Sequence, residues 1–288
     1  MTDNAIHFRK MNGLGNDFVV LDARVRAIAM DENMARQIAD RETGIGCDQL
    51  IMMVPSPRAD VKMRIWNSSG AEVESCGNAA RCIADLLIKE LGKETVTIDT
   101  DGGMLISYAA AEAGNITVDM GVPKFGWEDI PLAEEFYDTR GIELQIGPID
   151  DPVLHTPSAV NVGNPHAVFW VDDVEAYDLE RSGPLLEHHP IFPEGANISL
   201  ANVVSRDHII LKVWERGAGL TRACGTGACA AMVCAVRKDL VDRIATVTLP
   251  GGDLTIEWRE SDKHILMTGP VDYEFEGELP VMAVEGAR

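Results

Sequence analysis

The sequence predicts an α/β (α+β) protein of two pseudo-symmetric homologous domains, each a set of β-strands wrapped around one central helix. Three observations lead to this prediction: an internal repeat, strand-like segments in both copies, and a strong helix directly after a Cys-Gly pair in each copy. The length of 288 residues allows one large core or two of ordinary size. The composition, 46% hydrophobic and 25% charged, is typical of a soluble globular protein.

The repeat has an offset of 148 residues. It aligns residues of rare or polar types: Trp66 with Trp214, Cys76 with Cys224, Gly77 with Gly225, Asn16 with Asn164, and Gln49 with Asn197. A shared rhythm of strands and helices explains matched apolar positions, but not matched Trp, Cys and Asn. We therefore predict an N-terminal domain over 1–123, on which the segment 274–288 can pack, and a C-terminal domain over 124–273. An acidic connector, 128–151, separates the two repeat copies.

Strands and one central helix are predicted in each copy. In the first copy the segments DFVVLD, VKMRIW, TVTIDT and NITVDMG alternate or are apolar, and Gly, Pro and Asp turns separate them. The helix after Cys76 has an apolar face formed by Ala80, Ile83, Leu87 and Leu91, and Gly92 is a suitable C-cap. The segment ACAAMVCAV after Cys224 is apolar on every side, so we expect that helix to be buried all round.

Charge and hydropathy exclude several classes of protein. The formal charge of −21 argues against a nucleic-acid or anionic-membrane partner, because either would need a basic face. The first ten residues carry no apolar signal region and no run of 18 apolar residues occurs, which predicts a cytoplasmic protein without a membrane span. The six cysteines fit neither a disulfide framework nor the spacing of a zinc site, so we expect no metal. GLGNDF and GAGLTR do not complete a dinucleotide-binding motif.

Two cysteines, Cys76 and Cys224, stand where a helix begins. The positive end of the helix dipole favours a thiolate there and should lower the pKa of each thiol from about 8.5. The residues after each cysteine, Gly77-Asn78 and Gly225-Thr226, let backbone N–H groups approach a bound carboxylate closely.

A pseudo-twofold axis between the copies would bring these thiols face to face across an interdomain cleft, where ligand sites tend to lie. Two acid/base groups on opposite sides of one carbon can invert a stereocentre. Cys82, Cys229 and Cys234 lie inside predicted helices and are expected to be buried hydrophobes, and the sequence leaves Cys47 undecided.

The chain resembles the diaminopimelate epimerase family from MNGLGNDF to GPVDYEFEG, which is nearly its whole length. The resemblance rests on GCDQ, N-x8-CGN, GNPH and ERGAGLTRACGTG, which are highly specific in combination. It implies cofactor-independent interconversion of LL- and meso-diaminopimelate in lysine and peptidoglycan precursor synthesis, a cleft site, a homodimer and no metal. One departure from the family pattern is Ala79, where many members have glycine.

The resemblance also implies residue roles. Cys76 and Cys224 would be the acid/base thiols, and His166 and Glu215 would tune their pKa values. The reacting carboxylate would be held by Gly77, Asn78, Gly225 and Thr226. The amino groups and the distal amino-acid end would be held by Asn16, Gln49, Asn67, Asn164, Asn197, Glu215 and Arg216.

Three other functions fit parts of the sequence. A proline or hydroxyproline racemase would share the halves and the cysteine pair, but would not need polar residues for a second amino-acid head. A non-enzymatic redox sensor would use Cys76 and Cys224 as a reversible disulfide, and a turnover assay separates it from an enzyme. A pure amino-acid-binding module leaves unexplained why both carboxylate-binding loops begin with cysteine.

Overall fold

The computed structural model describes residues 5–74 and 76–279. In chain order its elements are β1 (Ile6–Gly13), β2 (Asn16–Asp22), α1 (Glu32–Ala39), β3 (Gln49–Val54), β4 (Val61–Asn67), β5 (Glu72–Val73), α2 (Gly77–Leu91), β6 (Thr95–Thr100), β7 (Gly103–Ala109), β8 (Asn115–Asp119), β9 (Gln145–Ile146), β10 (Leu154–His155), β11 (Ser158–Asn161), β12 (Pro165–Trp170), a 3₁₀-helix (Val174–Ala176), α3 (Leu179–Glu187), β13 (Asn197–Ser205), β14 (His208–Glu215), β15 (Gly219–Thr221), α4 (Gly225–Arg237), β16 (Ile244–Leu249), β17 (Gly252–Trp258), β18 (Ile265–Pro270) and β19 (Asp272–Leu279). Among these residues no helix is long and apolar enough to cross a membrane.

The described residues divide into two compact units, one formed by those up to 118 together with 269–279 and the other by 119–268. The sequence prediction placed these boundaries at 123 and 273. The first unit takes the later part of the chain because β19 pairs antiparallel with β1 along its length. Of the segment 274–288, residues 280–288 lie outside the described residues.

The first unit is a sheet built around α2. Strand β2 pairs parallel with β3, β3 antiparallel with β4, and β4 parallel with β6, which continues antiparallel into β7. Strand β1 lies between β2 and β19 and is antiparallel to both. On the helix, Ala80, Ile83 and Leu87 are fully buried as predicted. Leu91 is 42% exposed, so the predicted apolar face ends one turn early, just before the left-handed Gly92 (φ 65°) closes the helix.

The second unit repeats this arrangement around α4. Strand β12 is parallel to β13, β13 antiparallel to β14, β14 parallel to β16, and β16 antiparallel to β17. The register is the same as in the first unit at the predicted offset, since Phe18 pairs with Gln49 where His166 pairs with Asn197. Helix α4 is buried on every side from Gly227 to Ala235, as its unbroken apolar sequence predicts.

The acidic segment 128–151 is more than a connector between copies. It contributes buried Ile130, Leu132, Ile142 and Leu144 to the core of the second unit. Burial of these side chains outweighs the local acidity, which lies on the exposed positions of the segment.

Candidate active site

Cys76 is the N-cap residue of α2. Its backbone is extended (φ −151°, ψ 112°), and its sulfur accepts a hydrogen bond from the Ala79 N–H at 3.5 Å. The side chain therefore occupies the place that a serine or aspartate usually takes at a helix start. Gly77 is the first helical residue, so the thiol lies beside the free amide groups of the first turn.

Asn16 lies beside this thiol, and Asn78 lies beside Asn16. The Asn16 Oδ1 atom lies 3.8 Å from the Cys76 Sγ atom and 3.4 Å from the Asn78 Nδ2 atom. Asn78 is buried, and its own oxygen accepts a hydrogen bond from the buried Arg81 at 3.0 Å. Strand β2 and helix α2 thus bring together three of the predicted site residues.

Gln49 and Asn67 lie opposite each other on β3 and β4. The Gln49 Nε2 atom donates to the Asn67 Oδ1 atom at 2.9 Å, whereas the buried Gln49 Oε1 atom has no hydrogen-bond partner among the described residues. A buried unsatisfied oxygen is costly unless a ligand supplies a donor. An ammonium group of a substrate would be such a donor.

Asp48 holds Asn16 and was missed at the sequence level. Its carboxylate accepts hydrogen bonds from the Asn16 Nδ2 atom at 3.0 Å and from the Asp17 N–H at 3.1 Å. Arg41 joins Asp48 to Asp17 with bonds of 2.7 and 2.8 Å. Burial alone would raise the pKa of Asp17, but hydrogen bonds from Arg41 and Lys10 outweigh it and hold that pKa well below its usual range.

Cys224 is the N-cap residue of α4 and matches Cys76. Its sulfur accepts a hydrogen bond from the Gly227 N–H at 3.3 Å and lies 3.6 Å from the Thr226 Oγ1 atom. The residue is only 2% exposed, whereas Cys76 is half-buried. Gly225 is the first residue of the helix and is buried beside it.

The pKa of the Cys224 thiol departs from the sequence expectation. Burial raises it well above 9, and the nearby Glu215 carboxylate raises it further. The expected lowering at a helix start was wrong here because loss of solvent outweighs the amide hydrogen bond. Burial also raises the pKa of Glu215, although Thr221 donates to its carboxylate at 2.5 Å.

His166 is linked to the surroundings of Cys224 through Asn164. The His166 Nε2 atom lies 2.9 Å from the Asn164 Oδ1 atom, and the Asn164 Nδ2 atom donates to the Thr226 Oγ1 atom at 3.4 Å. Complete burial, with Arg216 as a second cause, lowers the pKa of His166 to about 3, so the ring is neutral. Its Nδ1 atom is buried and has no partner among the described residues.

Asn197 fixes the loop that carries Arg216. Its Oδ1 atom accepts the Arg216 N–H at 2.9 Å, and its Nδ2 atom donates to the Pro165 carbonyl at 2.9 Å. The Arg216 guanidinium is exposed and donates to the Glu194 carbonyl at 2.9 Å.

The remaining cysteines are buried and are not joined in disulfides. Burial raises the pKa of Cys47 to about 11, and that of Cys82 and Cys234 to about 12. These thiols therefore stay protonated and unreactive near neutral pH. Within residues 5–74 and 76–279, no group of His, Cys, Asp or Glu side chains is arranged to hold a metal ion.

Comparison with known proteins identifies the family. The model of the family "Diaminopimelate epimerase" matches residues 8–126 and 158–274, which is most of the chain. The chain belongs to the diaminopimelate epimerase family.

Its named relatives include the diaminopimelate epimerase of Rhodopseudomonas palustris strain HaA2, 54% identical over 99% of this chain and 97% of the relative. That of Afipia carboxidovorans is 56% identical over 96% of both chains.

Solved structures share the fold at low identity. The hydroxyproline epimerase of Agrobacterium vitis superposes with a TM-score of 0.66 at 14% identity, covering 98% of this chain and 96% of the other. A phenazine biosynthesis protein of the PhzF family from Bacillus anthracis gives 0.65 at 19% identity, covering 96% and 99%. At such identities the likeness shows the fold alone.

Proposed function

We propose that this chain converts LL-diaminopimelate to meso-diaminopimelate without a cofactor, with Cys76 and Cys224 as its two acid/base groups. The observation that carries the proposal is the pair of Cys-Gly helix starts. They are related by the 148-residue offset and lie in units whose strands pair in the same register, in a member of the diaminopimelate epimerase family.

The chemistry is a proton exchange at one α-carbon. A thiolate removes the α-proton, and the bonding electrons remain on the carbon as a carbanion beside the substrate carboxylate. The other thiol then delivers its proton to the opposite face, and the two sulfurs have exchanged protonation states. The mechanism therefore requires both sulfurs to reach the same carbon, and the reverse reaction swaps their roles.

The two thiols begin in different environments. The raised pKa of Cys224 favours its protonated form. When a reaction cycle begins with Cys224 protonated, Cys224 is the proton donor. The half-buried Cys76 then acts as the base. Amide groups after each cysteine, in Gly77-Asn78 and Gly225-Thr226, stabilise the charge that develops on the substrate carboxylate.

The distal amino-acid head has its own polar residues. Gln49 offers an unsatisfied oxygen and Asn67 lies beside it, which suits an ammonium group. Glu215 and Arg216 supply a carboxylate and a guanidinium, and the latter can bind a carboxylate with two parallel N–H bonds. Asn16, Asn164 and Asn197 complete the set, with His166 fixing Asn164.

Solvent exchange tests the mechanism. With LL-diaminopimelate in deuterated water, the product should acquire solvent deuterium at the α-carbon before the substrate pool does. Cys76→Ala and Cys224→Ala should each lose epimerisation while keeping the fold by circular dichroism. Cys229→Ala, inside the same helix as Cys224, is the matched control and should remain active. Full activity in either of the first two variants contradicts the assignment.

We further propose a cytoplasmic homodimer with no nucleic-acid or membrane partner. The family resemblance supports the dimer, and the charge of −21 supports the absence of anionic partners. Sedimentation of the purified protein tests the first point. Turnover of L-proline rather than diaminopimelate would favour the racemase alternative.

A further inference from the structure

Glu187 brackets the loop that carries Glu215 and Arg216. One of its oxygens accepts the Trp214 indole N–H at 2.7 Å, and the other accepts the Gly217 backbone N–H at 2.9 Å. These donors lie immediately before and after the Glu215-Arg216 pair. A single carboxylate thereby accepts a hydrogen bond from the residue on each side of the dipeptide.

We propose that Glu187 is a positioning residue that holds Glu215 and Arg216 in place for the distal head of the substrate, an inference that rests on the proposed function. Glu187 is only 5% exposed, and its ion-pair partner among the described residues is the exposed His188, 3.7 Å away. Burying a carboxylate costs free energy unless strong hydrogen bonds satisfy it. The two bonds to the loop are that compensation.

Helix α3 is shaped to make this contact. Gly183 lies one turn before Glu187 on the same face of the helix. A Cβ atom at Gly183 would lie 2.5 Å from the Trp214 indole, so glycine is needed for the ring to pack against the helix. The indole then points its N–H at the Glu187 carboxylate.

The first unit has neither a glycine equivalent to Gly183 nor a carboxylate equivalent to Glu187. At the offset of 148 residues, Ala35 and Ala39 of α1 stand in place of Gly183 and Glu187, although Trp66 matches Trp214. The same unit has Asn67-Ser68 where the second has Glu215-Arg216. The carboxylate thus occurs in the copy that carries the charged pair, and its role is tied to that pair rather than to the fold that both copies share.

A double-mutant cycle with Arg216 tests the role. Glu187→Gln keeps the shape but turns one acceptor into a donor facing an N–H group, and should lower kcat/KM for diaminopimelate about 5-fold or more. Arg216→Met should lower it by roughly 30-fold or more, because a closed-site carboxylate loses its partner. In the Arg216→Met background, Glu187→Gln should lower kcat/KM by a smaller factor, since one of the two side chains that it positions is gone.

Glu180→Gln, at an exposed position of α3, is the matched control and should leave kcat/KM unchanged. Trp214→Phe removes one of the two donors while Glu187 stays in place, and should lower kcat/KM in the same direction. If Glu187→Gln fails to fold, the cycle with Trp214→Phe replaces it. Equal effects in both Arg216 backgrounds, or wild-type kcat/KM in Glu187→Gln, overturn the inference. Absence of turnover by the unaltered chain would instead contradict the proposed function.

Discussion

At the scale of single residues, the two equivalent asparagines are held by different neighbours. The Asp48 carboxylate accepts from the Asn16 Nδ2 atom, so the Asn16 oxygen faces Cys76. In the other unit the His166 Nε2 atom faces the Asn164 oxygen, so the Asn164 Nδ2 atom faces Thr226. The duplicated asparagine therefore presents an acceptor oxygen to Cys76 in the first unit and a donor NH₂ group to Thr226 in the second.

The ionisation of Cys224 gives a prediction with a definite sign. Burial and the Glu215 charge both raise its pKa, so the unaltered thiol should alkylate slowly at pH 8 and faster as the pH rises above 9. Glu215→Gln removes the charge and should speed alkylation of Cys224 at pH 8 about 10-fold or more. The rate is measured with iodoacetamide and peptide mapping.

Glu180→Gln serves as the control here too, because it removes an exposed carboxylate from the same unit. A Cys224 rate in Glu215→Gln that equals the control would mean that Glu215 does not tune this thiol.

At the scale of elements, the two helix starts differ at their third residue. Ala79 donates its N–H to Cys76, and the equivalent Gly227 donates to Cys224. A Cβ atom at Gly227 would lie 3.2 Å from the Cys224 Sγ atom and 3.0 Å from the Val213 Cγ2 atom. The second helix start would therefore hold an alanine side chain only if these neighbours moved by a few tenths of an ångström.

Exchanging these residues tests the difference. Gly227→Ala should lower kcat more than 10-fold, because the sulfur must shift to make room and small displacements of reacting groups are costly. Ala79→Gly should keep activity and lose about 0.5–1 kcal/mol of folding stability from helix propensity. Steady-state kinetics and thermal unfolding of both variants provide the measurements. Wild-type kcat in Gly227→Ala would show that the helix start relaxes without moving the sulfur.

At the scale of the whole molecule, the first unit is closed by segments from both ends of the described chain. Phe8 on β1 is buried, lies opposite Gly277 on β19 and packs edge-on against Phe275 at a centroid distance of 5.9 Å. A Cβ atom at Gly277 would lie 2.9 Å from the Phe8 ring. The late segment is therefore part of the core of the first unit.

Removal of the Phe8 ring should destabilise the first unit. Phe8→Ala should lower the free energy of unfolding by about 3–5 kcal/mol, as expected for a buried aromatic residue. Native-state hydrogen exchange should show faster exchange in β1, β2 and β19. Val25→Ala, at a fully exposed position, is the control. Unchanged protection of β19 in Phe8→Ala would contradict this role for the ring.

The sequence by itself determined the repeat, the strands that alternate, and the two helices that begin after Cys76 and Cys224. These follow from local pattern and from an offset that aligns rare residues, so no tertiary contact is needed to read them. It also indicated the family through motifs, and the match of the family model to residues 8–126 and 158–274 confirmed that resemblance.

Only the tertiary structure decided the environment of those residues. The raised pKa of Cys224, the burial of Ile130 and Ile142 in an acidic segment, and the bonds of Asp48 and Glu187 to their targets all depend on partners distant in the chain. Loss of solvent and contacts between distant residues have no local pattern in the sequence. They arise when the strands and helices pack, and for that reason the expected low pKa of Cys224 was wrong while its position was right.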